Sequence, residues 1–260
     1  MKTRQDIGGG RFNIELETCG SGEPLLYLHG AGGLTGVDPY LDELGKNFKV
    51  VAPYFPGYGE STGGELIEDV LDASLFYHQL MDDLGIASAH VVGHSMGGML
   101  AAELAAVDVH RVKKLVLVCP AGFWLDDHPI PDVFAMDLPD LATHLFHDPK
   151  SPLAQLFTTL PEDMNALGEM YVERTKRLTQ ASKFLWPIPD RGLKKRAWRI
   201  AAPTLTVWGE SDRLIPPIYA KEFTSRIKNA RSVTIKEAGH MVMYEQPEAF
   251  LKTVWEFLKS

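Results

Sequence analysis

Short apolar runs alternate along the chain with longer stretches of helical periodicity. Leu25-Leu26-Tyr27-Leu28-His29 is apolar, follows Gly22-Glu23-Pro24 and ends at Gly30-Ala31-Gly32-Gly33. It reads as a buried strand running into a tight loop. Phe48 to Ala52, stopped by Pro53, predicts a second strand, and Ala89 to Gly93 a third. Leu115 to Cys119, Thr204 to Trp208 and Ser232 to Ile235 predict three more. Between them, Ile67 to Leu84 carries apolar residues at Ile67, Val70, Leu71, Leu75, Leu80 and Leu84, close to helical spacing, with Gly85 as its cap. Met96 to Val107 is rich in Ala, Leu and Met and predicts a helix. An amphipathic helix from about Pro247 to Leu258 closes the chain. This alternation predicts an α/β fold with a parallel sheet covered by helices on both faces.

Residues 123–198 break the rhythm. Pro129, Pro131, Pro139, Pro149, Pro152, Pro161, Pro187 and Pro189 interrupt helical patterns that hold Trp124, Phe134, Phe146, Phe157, Tyr171, Phe184, Trp186 and Trp198. No strand is evident there. The segment is read as a helical lid inserted between two strands of the sheet, leaving 1–122 and 199–260 as the core.

Composition narrows the functional classes. Lys plus Arg is 26 and Asp plus Glu is 34, a formal charge of −8, with no basic block. Nucleic acid and anionic lipid are therefore poor partners, and a small molecule is the expected one. The N-terminus lacks an apolar signal region, and no run approaches the length needed to span a bilayer. Cys19 and Cys119 lack metal-ligand spacing and read as free thiols, so a cytoplasmic location, as monomer or homodimer, is expected.

The candidate chemistry sits at Gly93-His94-Ser95-Met96-Gly97-Gly98. Gly-x-Ser-x-Gly is common by itself, but here a strand enters it and a helix leaves it. A serine at that junction sits on a strained turn that flanking side chains would obstruct. Its hydroxyl needs a base, and the base needs a group to fix its tautomer. His240, in Ala238-Gly239-His240, and Asp212, in Trp208-Gly209-Glu210-Ser211-Asp212, both follow predicted strands, at the sheet edge where ligands bind. Glu210, Asp126 and Asp127 are rival acids. The amides of Ala31 and Met96 are the expected oxyanion donors. His29 and His94 read as packed, hydrogen-bonding histidines. His144, His147 and Asp148 lack the spacing of a helical zinc pair, so no metal site is expected.

With His29-Gly30-Ala31-Gly32 and Pro56-Gly57-Tyr58-Gly59-Glu60-Ser61, these motifs resemble the α/β-hydrolase fold superfamily, in particular its lid-bearing serine hydrolases, over nearly the whole chain. The resemblance implies a mostly parallel eight-stranded sheet, a lid after strand 6, an acid after strand 7 (which matches Asp212) and no cofactor. It also implies an acyl-enzyme on Ser95. Relatives often carry Asp where this chain has Tyr54. Carbon–carbon hydrolases of the superfamily usually carry Trp where this chain has Met241 and often Asn where it has His94, so a carboxylesterase acting on a small, largely apolar ester is the expected function. A carbon–carbon hydrolase of vinylogous diketones, or a slow-turnover ligand receptor, are the alternatives. Gly30, Phe123, Trp124, Trp186, Leu214 and Met241 are the expected substrate contacts. Activity is expected to rise with pH through the imidazole pKa, about 6.5 in an unperturbed histidine.

Overall fold

The computed structural model describes residues 1–260. Eight strands form one sheet: β1 (Lys2–Ile7), β2 (Phe12–Cys19), β3 (Pro24–Leu28), β4 (Lys49–Pro53), β5 (Ala89–His94), β6 (Val112–Val118), β7 (Thr204–Gly209) and β8 (Ala230–Ile235). Their order is β1-β2-β4-β3-β5-β6-β7-β8. All pairings from β4 to β8 are parallel, and β2 runs antiparallel to both β1 and β4. The six apolar runs read from the sequence are the six parallel strands. β5 is buried along its whole length, as a strand covered on both faces must be.

Two of the eight strands that the resemblance implies were not placed by the sequence pattern. β1 buries only Ile7, so it carries no apolar run; it is an edge strand paired to β2 from Lys2↔Glu17 to Ile7↔Phe12. β2 buries Phe12, Ile14 and Leu16 in strict alternation, with the polar positions between them turned outward.

Nine α-helices complete the fold: α1 (Pro39–Gly45), α2 (Val70–Asp83), α3 (Met96–Val107), α4 (Leu138–Leu145), α5 (Pro152–Thr158), α6 (Met164–Leu185), α7 (Ala220–Arg226), α8 (Val242–Glu245) and α9 (Pro247–Lys259). α2 starts three residues later than expected, because Asp69 accepts from the amides of Leu71 and Asp72 and caps it there. Its buried face is Val70, Ala73, Phe76, Tyr77, Leu80 and Met81, while Leu71 and Leu75 face water. α4, α5 and α6 lie between β6 and β7, where the sequence shows its proline-broken stretch.

β3 is flanked by β4 on one side and β5 on the other, so chain order reverses there. The loops after β3 and β5 leave this switch point at the carboxyl edge, where open α/β sheets bind ligands. α3 follows β5 and is buried almost throughout. It lies against the strands because Gly97 has no side chain: a Cβ there would sit 2.2 Å from the Leu28 carbonyl oxygen.

Candidate active site

Ser95 links β5 to α3 with φ 54° and ψ −118°, a conformation that a non-glycine residue adopts only under strain. Neighbouring backbone holds it there. Its amide donates to Val118 O (2.9 Å), and its carbonyl accepts from Met99 (3.1 Å) and Ala121 (3.1 Å). A Cβ at Gly93 would lie 2.3 Å from Gly97 O, so the turn closes only with glycine at that position. The hydroxyl stands at the N-terminus of α3, where developing negative charge is favoured.

His240 lies in the loop after β8 and Asp212 in the loop after β7. His240 Nδ1 donates to Asp212 Oδ2 at 2.8 Å, with both side chains buried. Asp212 Oδ1 accepts from the amides of Leu214 (3.0 Å) and Ile215 (2.9 Å). The carboxylate is thus oriented by the backbone, and one oxygen is left for the imidazole. The rival acids are elsewhere: Glu210 and Asp127 are exposed, and Asp126 accepts from the Trp124 indole. Ser95 Oγ and His240 Nε2 are not hydrogen-bonded to each other. His94, next to Ser95 in the chain, has its ring centroid 4.9 Å from that of His240, and its Nε2–H donates to the His240 backbone carbonyl at 3.0 Å. Burial first, and the neighbouring His240 second, hold His94 well below the usual histidine range, so it is neutral.

On the other side of Ser95, His29 Nδ1–H donates to Gly30 O (2.8 Å), and its Nε2 accepts from the Phe55 amide (3.0 Å). These bonds require the neutral ring, and burial pushes its pKa down to about 4. Gly30 O also accepts from Gly33 N at 3.0 Å. Because the peptide is trans, pinning that carbonyl turns the Ala31 N–H the opposite way, and this amide donates to no protein group. The Met96 amide, first in α3, has no intrahelical acceptor. Gly30 is buried against Ser95: a Cβ there would lie 3.2 Å from Ser95 Cβ and 3.0 Å from His94 Nδ1.

Residues 23–247 match the model of the alpha/beta hydrolase fold family. The chain belongs to that family. It is a hydrolase, and its relatives include dienedioate hydrolases, lipases and acetyltransferase components of acetoin cleaving systems. A 2-hydroxy-6-oxononadienedioate/2-hydroxy-6-oxononatrienedioate hydrolase of Comamonas testosteroni is 27% identical over 99% of this chain and 95% of its own. Lipase 1 of Psychrobacter immobilis is 29% identical over 86% of this chain and 73% of its own. An esterase from Exiguobacterium antarcticum has the same fold, with a TM-score of 0.80 at 21% identity and full coverage of both chains.

The expected substrate contacts in this hydrolase divide. Phe123 is buried, 4.5 Å from the Phe223 ring with the Arg226 guanidinium 5.1 Å from its own centroid. Trp124 is held by its indole bond to Asp126 (2.9 Å). Trp186 is half-exposed against Phe134, 5.9 Å away. Leu214 is buried beside Asp212, and Met241 follows His240 directly. Tyr54 is not at the oxyanion loop; its hydroxyl donates to Glu17 (2.6 Å) and accepts from Lys2 (2.9 Å), against β1 and β2. His144 and His147 do not converge: the first bonds Asp140 O, the second Ser211 Oγ. The ligand atoms of Cys119, Asp212 and His240 do lie within 4.8 Å of one another. Burial, and then Asp212, push that thiol well up, so it is protonated and not a ready thiolate ligand.

Two groups at the site escaped the sequence reading. Arg177 of α6 donates from Nη1 to Gly32 O (2.9 Å) and from Nε to Glu173 (3.1 Å), and Tyr58 OH lies within reach of both Ala31 O (3.2 Å) and Arg177 O (3.1 Å). α6 thereby clamps the loop after β3. The loop after β8 is tied to α4 instead, as the amides of His240 (2.7 Å) and Met241 (3.2 Å) both donate to Leu145 O. Neither partner carries a spacing signal. Arg177 is one of several cations on α6, and Leu145 acts through its backbone.

Proposed function

We propose that this hydrolase cleaves a carboxylic ester by acyl transfer through Ser95. Ser95 Oγ attacks the ester carbonyl while His240 Nε2 takes its proton, in a hydrogen bond that closes with substrate in place. Asp212 holds the imidazole in the Nδ1–H tautomer and stabilises the imidazolium. The Ala31 and Met96 amides receive the oxyanion. His240 then returns the proton to the leaving alcohol, and a water it activates releases the acid. The observation that carries this reading is the buried 2.8 Å His240–Asp212 bond, at the same sheet edge as a serine held at φ 54°.

A small, largely apolar substrate is favoured because the cation nearest the oxyanion loop, Arg177, is already engaged by Gly32 O and Glu173. Residues 138–185 serve as the cover, a role supported by the low exposure of Ser95 (7%) and His240 (2%). Ser95→Ala is expected to lose at least about 10³-fold in kcat on p-nitrophenyl butyrate, and its labelling by a fluorophosphonate. Near-wild-type turnover in that variant would refute the nucleophile.

The relatedness to the Comamonas dienedioate hydrolase favours a second reading, carbon–carbon cleavage by the same three side chains. Wild-type enzyme given p-nitrophenyl acetate, p-nitrophenyl butyrate and a ring-fission dienoate separates the two. Turnover of the dienoate with kcat/KM above that of both esters would select the second.

A further inference from the structure

Glu245 ends α8, five residues beyond His240, and the acyl-transfer scheme gives it no role. Its carboxylate is half-buried and accepts two backbone bonds from different parts of the chain. Gly239 N–H donates to Oε2 and His147 N–H to Oε1, both at 2.7 Å. Gly239 immediately precedes His240, and His147 follows α4. Around this bridge the same short stretch meets both catalytic loops. Leu145 O takes the amides of His240 and Met241, His147 Nδ1 bonds Ser211 Oγ (2.7 Å), and Arg213 Nη1 donates to Thr143 O and Phe146 O (both 3.1 Å). The fit leaves no slack, since a Cβ on Gly239 would lie 2.6 Å from Leu145 O.

We infer that Glu245 is a positioning residue for His240, acting by fastening residues 143–147 to the loop that carries the base. The inference rests on the reading of His240 as base. A carboxylate suits the position because it has two acceptor oxygens and no donor; glutamine would turn an NH2 toward one of the two amides. The groups facing Glu245 are His147, the Gly239 amide and, at longer range, Asp212. Its negative charge therefore also bears on the His240–Asp212 pair.

The test is the Glu245→Gln enzyme beside wild type, Ser95→Ala and Glu245→Asp. A displaced imidazole lowers kcat about 10-fold in Glu245→Gln while KM changes less than about two-fold, because alignment and not affinity is lost. Removing the nearby anion also moves the acid limb of kcat/KM to lower pH, and shifts the low-field proton resonance of His240 Nδ1–H. A merely structural role would lower Tm without moving either. Glu245→Asp keeps the charge but sets the carboxylate one methylene short of the Gly239 and His147 amides; it is expected to lower kcat about three-fold, and it decides the matter if Glu245→Gln does not fold. An inactive Ser95→Ala, with wild-type kcat and acid limb in both other variants, would overturn the inference. An active Ser95→Ala would instead remove the catalytic reading beneath it.

Discussion

Lowering the pH should destabilise this protein through His29 before most of its carboxylates are protonated. His29 is buried, donates from Nδ1 to Gly30 O and accepts at Nε2 from the Phe55 amide. Its pKa falls from the ordinary 6.5 to about 4, chiefly by burial. The sign follows from proton counts. Between these two values the unfolded chain binds a proton at this residue and the folded chain does not, so stability is complete above pH 6.5 and is lost as pH falls toward 4. At about 1.36 kcal/mol per pH unit, the contribution is about 3 kcal/mol, a large share of the 5–15 kcal/mol typical of a folded domain. His94 is lowered in the same sense, so the wild-type slope contains more than this one residue. The difference between wild type and His29→Gln isolates it. Urea unfolding at half-unit steps from pH 4 to 7 should give the variant a shallower fall in stability, by about 3 kcal/mol over the range. Parallel curves would refute the assignment, because a group that does not titrate differently on folding cannot tilt them.

Two further substitutions probe the site and its support. Asp212→Asn keeps the two amide bonds to Leu214 and Ile215 but removes the charge and allows the wrong imidazole tautomer, so kcat should fall about 10⁴-fold with little change in Tm; a loss under ten-fold in steady-state assays would count against the acid. Gly97→Ala places a Cβ 2.2 Å from Leu28 O, a backbone atom that cannot swing aside. Moving α3 away from β3 should cost about 3 kcal/mol or more, read as a lower urea midpoint, and should displace the Met96 amide.

The legible parts of the fold are those whose sequence signal is local. Five of the parallel strands, β3 to β7, are visible because burial on both faces forces continuous apolar runs, as in Leu115 to Val118, whereas β8, at the sheet edge, shows only through Val233 and Ile235 alternating with exposed polar residues. β1 is not, since an edge strand that buries only Ile7 has nothing to show beyond Lys, Thr, Arg, Gln and Asp. In α2 the spacing gave the helix but not its face. Leu71 and Leu75 are exposed while Ala73, Ser74 and Tyr77 are buried, because the small residues sit where the helix meets its neighbours. Ser95, Asp212 and His240 were legible as candidates because each follows a strand, and parallel strands end at one edge. The Arg177–Gly32 and Glu245–His147 bonds join residues 145 and 98 positions apart. Bonds to backbone atoms leave no residue-type signature at the acceptor or donor end.

The neutral histidines around His240 tie stability to the proposed chemistry. A base that becomes positive during catalysis is poorly placed beside other positive rings, yet His94 lies 4.9 Å from His240 and His29 precedes the oxyanion loop. Burial keeps both uncharged, and hydrogen bonding makes the same demand independently. Protonating His29 Nε2 would set an N–H against the Phe55 N–H, while Nδ1 must remain the donor that pins Gly30 O. Acid therefore acts twice on one element, since charging His29 both destabilises the fold and frees the peptide that aims the Ala31 amide. Loss of activity below pH 6 then has two sources, titration of the base and release of this loop. His29→Gln separates them, because it abolishes the second and leaves the first. Its kcat/KM, scaled to its own maximum, should decline less steeply toward pH 4 than that of the wild type.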